Sequence, residues 1–119
     1  MKLPEEAARA RYDVAVAVAR YEDMLRPVAD GRPEGFCKLI VETGERRIVG
    51  AHVIGEYSAE VIQMVAVCIA TGIRIEDVAD LQLAYPTFTE GVSQAAAMLV
   101  HQLGVGTTHN LWSNLRSLT

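Results

Sequence analysis

Phe36-Cys37-Lys38-Leu39-Ile40-Val41-Glu42 and Arg47-Ile48-Val49-Gly50-Ala51-His52-Val53-Ile54, joined through Thr43-Gly44-Glu45, decide the fold of this chain. Both runs are rich in residues that suit a pleated surface, and the glycine between them suits a tight reversal, so the pair reads as a β-hairpin. N-terminal to it, Asp13-Val14-Ala15-Val16-Ala17-Val18-Ala19-Arg20-Tyr21 alternates valine with alanine. A helix over this stretch is the competing reading, but a strict period of two favours a strand with bulk on one face and small groups on the other. The alanine face permits another layer to approach closely. Arg26 to Glu34, with Pro27, Gly31 and Pro33, reads as a loop. Pro4 to Arg11 reads as a short helix, because proline fits a first turn and Glu5-Glu6 face the positive helix end.

On the C-terminal side the period changes to that of helices. Ser58 is placed to cap a helix running to about Thr71, closed by Gly72. Val61, Ile62, Met64, Val65, Val67, Cys68 and Ile69 make this helix apolar nearly all round, so it needs burial on more than one side. A small monomer cannot easily supply that, and a partner surface would. Ile75 to Ala79 forms another short helix. Leu81-Gln82-Leu83-Ala84-Tyr85 alternates and reads as a strand ending at Pro86. Thr87-Phe88-Thr89-Glu90 has capping-box spacing, opening a helix through Val92, Ala95, Ala96, Leu99 and Leu103 to a stop at Gly104. The tail from Thr107 to Thr119 carries Leu111, Trp112 and Leu115, and reads either as a short docked helix or as a frayed end. Together these elements predict an α+β fold, an antiparallel sheet with helices packed on one side.

Composition narrows the function. The 119 residues suit one domain, and a hydrophobic fraction of 50% excludes disorder. The apolar stretch from Val61 to Ala70 is about ten residues, short of the roughly 18 that a bilayer span requires. The first residues lack the apolar segment of a secretory signal, so a cytoplasmic protein without a membrane partner is inferred. A net charge of −4 and the lack of any basic block argue against nucleic acid. Cys37 and Cys68 have no paired spacing and read as small buried hydrophobes.

Few residues suggest chemistry by themselves. Gly50 and Gly55 do not form a dinucleotide-binding glycine pattern, and Gly104-Val105-Gly106 follows a helix where such a pattern would open one. His52, His101 and His109 are scattered, which suggests no metal. Tyr85 is readable as a hydrogen-bond donor, as a proton shuttle, or more simply as a packed aromatic before a proline turn. Glu90 has a sufficient structural task as the capping-box acid.

The ordered set Gly50-Ala51-His52-Val53-Ile54-Gly55, Ala59-Glu60 with Ile62, and Tyr85-Pro86-Thr87 with Glu90 resembles the C-terminal dimerisation domain of the FAD-dependent pyridine nucleotide-disulfide oxidoreductases. The resemblance covers roughly Val14 to Leu103. It implies residues 1–12 as linker remnant and short helix, residues 13–104 as dimerisation domain and residues 105–119 as tail. It implies a homodimer, and a chain continuing into FAD- and NAD(P)-binding domains that this one lacks, so the cofactors are those of a parent enzyme. It implies a cis Tyr85–Pro86 bond. It places Tyr85 and Glu90 on the family's acid–base positions, where a histidine before the proline, held by the glutamate, reaches the partner's active site.

Tyrosine stands where the family has histidine. Tyrosine ordinarily titrates near 10 against about 6.5 for histidine, a poor match to proton abstraction at neutral pH. This form resembles the transhydrogenase and mercuric-reductase-like branches, which puts disulfide reduction in doubt and favours hydride or electron transfer to another acceptor. The expected function is therefore assembly of a flavoprotein oxidoreductase, with the isolated chain inactive. A free-standing interaction module docking through the apolar helix is the alternative, and a small autonomous enzyme using Tyr85 and Glu90 the third reading.

Overall fold

The computed structural model describes residues 3–105. Its elements run α1 (Glu5–Arg11), β1 (Val14–Arg20), a 3-10 turn (Tyr21–Asp23), α2 (Leu25–Ala29), β2 (Gly35–Glu42), β3 (Ile48–Gly55), α3 (Ser58–Thr71), α4 (Ile75–Ala79) and α5 (Glu90–Leu103). The strands make one antiparallel sheet in the order β1-β2-β3. Val14 pairs with Glu42 and Arg20 with Phe36, while Cys37 pairs with Val53 across the hairpin. The α+β architecture is as expected.

The period-two pattern of β1 sorts its residues between two cores. Ala15, Ala17 and Ala19 join Cys37, Leu39, Val41, Ile48, Ala51 and Val53 on the face covered by α3 and α5. Their small side chains let α5 come close enough for Gln102 Nε2 to donate to the Val16 carbonyl at 3.4 Å. Val14 and Val16 face the other way, where Ala8 of α1 packs with Ile40 and Val49. Lys38 on that face pairs with Glu5 of α1. Gly50 admits α1's lead-in segment, since a Cβ there would lie 2.1 Å from the Leu3 carbonyl oxygen.

The hairpin tip is tied by one carboxylate. Glu42 accepts from the backbone N–H groups of Gly44 at 3.0 Å and Glu45 at 2.8 Å. Arg46 takes a left-handed φ of 64°, and its guanidinium grips Glu76 of α4 through contacts of 2.8 and 3.1 Å. The Ile75 N–H donates to the Arg46 carbonyl at 2.8 Å, so the tip and α4 are joined by backbone as well as side chains.

Several local expectations are corrected. The span read as a loop from Arg26 to Glu34 begins inside α2, because Pro27 lies in a first helical turn, where its missing N–H costs no hydrogen bond. Ser58 does not cap α3. Tyr57 precedes the helix with a left-handed φ of 60°, and no side chain caps it. The 81–85 segment is not a strand: Leu81 N–H turns back to the Val78 carbonyl, and residues 82–85 pair with neither sheet edge. The expected helix start at Thr87 moves to Glu90, with Thr87 in a bend and Phe88 and Thr89 in a turn. Gly72 and Gly104 close their helices as expected, each with φ 66°.

Helix α3 buries Val61, Val65 and Cys68, with Ile62, Met64 and Ile69 partly covered. Val67 on its outer side stays 62% exposed, so one chain does not bury this helix all round. Helix α5 buries Val92, Ala95, Ala96, Leu99 and Val100 along one stripe. Among the described residues no helix is long and apolar enough to cross a membrane. The reading of residues 107–119 lies outside the described residues.

Candidate functional site

The turn between α4 and α5 presents Tyr85. The Tyr85–Pro86 bond is cis, and the Tyr85 side chain stands 65% exposed. The rest of the turn is fastened. Thr87 Oγ1 donates to the Ala84 carbonyl at 2.7 Å and lies 2.6 Å from Thr89 Oγ1. The Glu90 N–H donates to the Thr87 carbonyl at 3.3 Å. Thr89, not Thr87, occupies the residue before α5, and no side chain caps the helix.

Phe88 is the anchor of the turn. Its ring is 5% exposed and meets two tyrosines edge-on, Tyr21 at 5.4 Å and Tyr57 at 5.0 Å between centroids. Tyr21 lies fully buried beneath it, and burial pushes its phenol up to about 12. Tyr57 forms the outer wall and is half exposed. From the side, Arg26 Nη1 donates to the Pro86 carbonyl at 3.3 Å.

Glu90 is the first residue of α5. Its Oε1 accepts from Gln94 Nε2 at 3.3 Å, while its buried Oε2 has no partner among the described residues. No hydrogen bond joins Tyr85 to Glu90 there. The structure thus places the two expected site residues on one turn, the phenol facing outward and the carboxylate tucked at the helix start. The capping-box role expected for Glu90 is not realised, since α5 has no side-chain cap.

The remaining reactive groups are withdrawn. Burial pushes the Cys37 thiol up to about 12 and also raises that of Cys68. Neither suits nucleophilic chemistry, which requires the thiolate. His52 is exposed on β3 and meets Phe36 edge-on at 5.9 Å. Among the described residues no three potential metal ligands cluster together.

The tightly packed glycines do not form a dinucleotide cradle. A Cβ at Gly55 would meet the Glu34 carbonyl and the Tyr21 ring, each at 2.8 Å, and one at Gly50 would meet Leu3. Their surroundings are filled by this chain's own atoms, whereas a phosphate-binding glycine must leave its backbone open to the ligand. Gly50 and Gly55 therefore pack against their own chain and do not cradle a phosphate.

Sequence reasoning missed Arg26, Tyr57 and Tyr21 as supports of the turn. A clue lay in Leu25-Arg26-Pro27-Val28-Ala29, where a proline early in an otherwise helix-compatible run marks a first turn. Nothing in one dimension links Tyr21, Tyr57 and Phe88.

Residues 3–96 match the model of the pyridine nucleotide-disulphide oxidoreductase dimerisation domain. A mercuric reductase from Staphylococcus aureus is 30% identical over 79% of the chain, and this covers 17% of that protein. A soluble pyridine nucleotide transhydrogenase from Mycobacterium bovis is 28% identical over 82% of the chain and 21% of its own length. Among solved structures, LpdA from Mycobacterium tuberculosis superposes with a TM-score of 0.77 at 19% identity, over 83% of this chain and 22% of that one. An NAD-dependent persulfide reductase from A. fulgidus gives 0.67 at 26% identity, over 85% of this chain and 20% of that one. The chain spans about a fifth of the length of these relatives. With its sheet, helices and turn all in place and most of its length matched, the chain belongs to the pyridine nucleotide-disulphide oxidoreductase family, as a dimerisation domain.

Proposed function

We propose that this chain assembles the homodimer of an FAD- and NAD(P)-dependent oxidoreductase and lends Tyr85 to the partner subunit's active site. Residues 13–104 act as the dimerisation module, and residues 1–12 lead in from the domains that carry the cofactors. The observation that carries the reading is the contrast within one turn. Phe88, Thr87 and Pro86 are fastened to their own chain, while Tyr85 is held out from it, 65% exposed. A side chain presented in this way serves a site outside its own core. Val67, open on the outer side of α3, supports a second copy covering that helix.

The same geometry bears on the chemistry. A phenol without a hydrogen bond to Glu90 is a poor acceptor for a thiol proton. Hydride transfer between nicotinamides, the activity named for one relative, does not need that proton. We therefore favour hydride or electron transfer to an acceptor other than a disulfide. The isolated chain is inactive, because flavin and nicotinamide bind on other domains of the parent.

Sedimentation equilibrium of the chain at micromolar concentration tests the assembly. The expected mass is about twice the 13.0 kDa of one chain. A mass that stays monomeric up to about 100 μM, weaker than any stable homodimer, would overturn the proposal.

A further inference from the structure

Arg26 has no place in the family motif that the sequence displays, yet it reaches across 60 positions to the Tyr85 turn. We infer that Arg26, locked by Asp30, is a positioning residue for Tyr85. The inference rests on the proposed role of Tyr85 at the partner's active site.

The support is built in three steps. Asp30 follows α2, and its N–H donates to the Arg26 carbonyl at 2.9 Å. Its carboxylate then accepts from Arg26 Nε at 2.8 Å, so one residue holds both the backbone and the guanidinium of Arg26. The far edge of that guanidinium donates through Nη1 to the Pro86 carbonyl at 3.3 Å. This carbonyl belongs to the residue next to Tyr85, and fixing it fixes the base from which the phenol projects. Behind α2, the Arg32 N–H closes on the Pro27 carbonyl at 2.7 Å, so the mount itself is a closed turn.

A guanidinium is suited to this task. Its donors lie in a rigid plane, so that one edge can engage Asp30 while another engages Pro86. Lysine offers one compact charge and cannot reproduce both contacts in fixed directions. Phe88 holds the turn inward through the two tyrosine rings, and the Thr87 hydroxyl ties it back to Ala84. Arg26 adds a third fixed point, on Pro86 itself.

The first test uses this chain and needs no knowledge of the reaction. Hydrogen exchange is followed at the N–H groups of Glu90, Gly91 and Val92, which close the turn on Thr87, Phe88 and Thr89. Arg26→Ala is expected to accelerate these amides about tenfold, in line with loss of a charge-assisted hydrogen bond. Exchange across β2 and β3 should stay unchanged, and Arg26→Lys should fall between. Equal acceleration everywhere, or none at the turn, overturns the inference.

The second test uses the full-length oxidoreductase, assayed for hydride transfer from reduced nicotinamide to a thio-nicotinamide acceptor. Tyr85→Ala and Arg26→Ala should each lower kcat about tenfold or more, with KM for the nicotinamide unchanged and the dimer intact. The double variant should be no slower than the slower single one, because Arg26 acts through Tyr85. If the two losses multiply, or if Arg26→Ala is silent while Tyr85→Ala is not, Arg26 does not position Tyr85 and the proposed function still stands. If Tyr85→Ala is silent, the role of Tyr85 fails and this inference fails with it. Should Arg26→Ala not fold, Asp30→Asn, which loosens the same lock, takes its place with the same expectations.

Discussion

Removing the Phe88 ring tests whether the Tyr85 turn is fixed by packing. The ring is 5% exposed and sits between Tyr21 and Tyr57 at 5.4 and 5.0 Å. Truncating a buried phenylalanine to alanine costs about 3–5 kcal/mol, from lost transfer energy and the cavity left behind. Edge-on aromatic pairs contribute about 0.5–1.5 kcal/mol each beyond area, the half-exposed Tyr57 pair standing at the low end. We expect Phe88→Ala to cost about 4 kcal/mol and Phe88→Leu, which keeps most of the volume but no pair, about 1.5 kcal/mol. With a urea slope of roughly 1.5 kcal/mol per molar, the alanine variant should unfold about 2.7 M earlier. Circular dichroism across a urea series reads this, at one fixed protein concentration because assembly adds to apparent stability. A loss under about 1 kcal/mol for Phe88→Ala, small beside the usual core truncation, would refute the wedge. So would equal losses for alanine and leucine.

Gly50→Ala should push α1's lead-in off the sheet, since its Cβ would lie 2.1 Å from the Leu3 carbonyl oxygen. The expected cost is about 1–3 kcal/mol, with faster proteolysis within the first dozen residues as the direct sign. Hydrogen bonding from Arg46 holds the Glu76 carboxyl below its ordinary 4.5. A depressed folded value contributes stability that is present above the unfolded value and lost as pH falls through the folded one. The urea midpoint should therefore decline as pH drops below 4.5, and Glu76→Gln should flatten that decline; an unchanged slope would refute the pairing. Cys37, its thiol pushed to about 12, should react with a disulfide reagent at pH 8 only as the chain unfolds. Cys68, less deeply covered, should react first, and rapid native labelling of Cys37 would contradict its placement.

The hairpin, the strand β1 and the helices α3 and α4 were legible in one dimension because each rests on local signals. Alternation in Val14 to Ala19 and a glycine turn after Glu42 need no distant partner to be read. The α5 stripe was legible for the same reason, but its start was not. Thr87 and Glu90 have capping-box spacing, and only the folded turn, which starts α5 at Glu90 with Thr89 before it, excludes that cap. The alternation at Leu81 to Tyr85 misled because a strand also needs a sheet edge beside it, and none is paired there.

Tyr85 and Glu90 could be singled out through the family resemblance, which rests on the order and spacing of motifs along the chain. Whether they touch could not, and the structure leaves them without a hydrogen bond. The supports of Tyr85 were invisible for a related reason. Tyr21, Arg26, Tyr57 and Phe88 come from four separate places in the chain, and only the closure of the sheet against α5 draws them together. Local periodicity and turn chemistry thus determined the elements, and the family resemblance supplied the candidate residues. Long-range packing decided which residues hold the turn, because contacts between distant residues leave no period in the sequence.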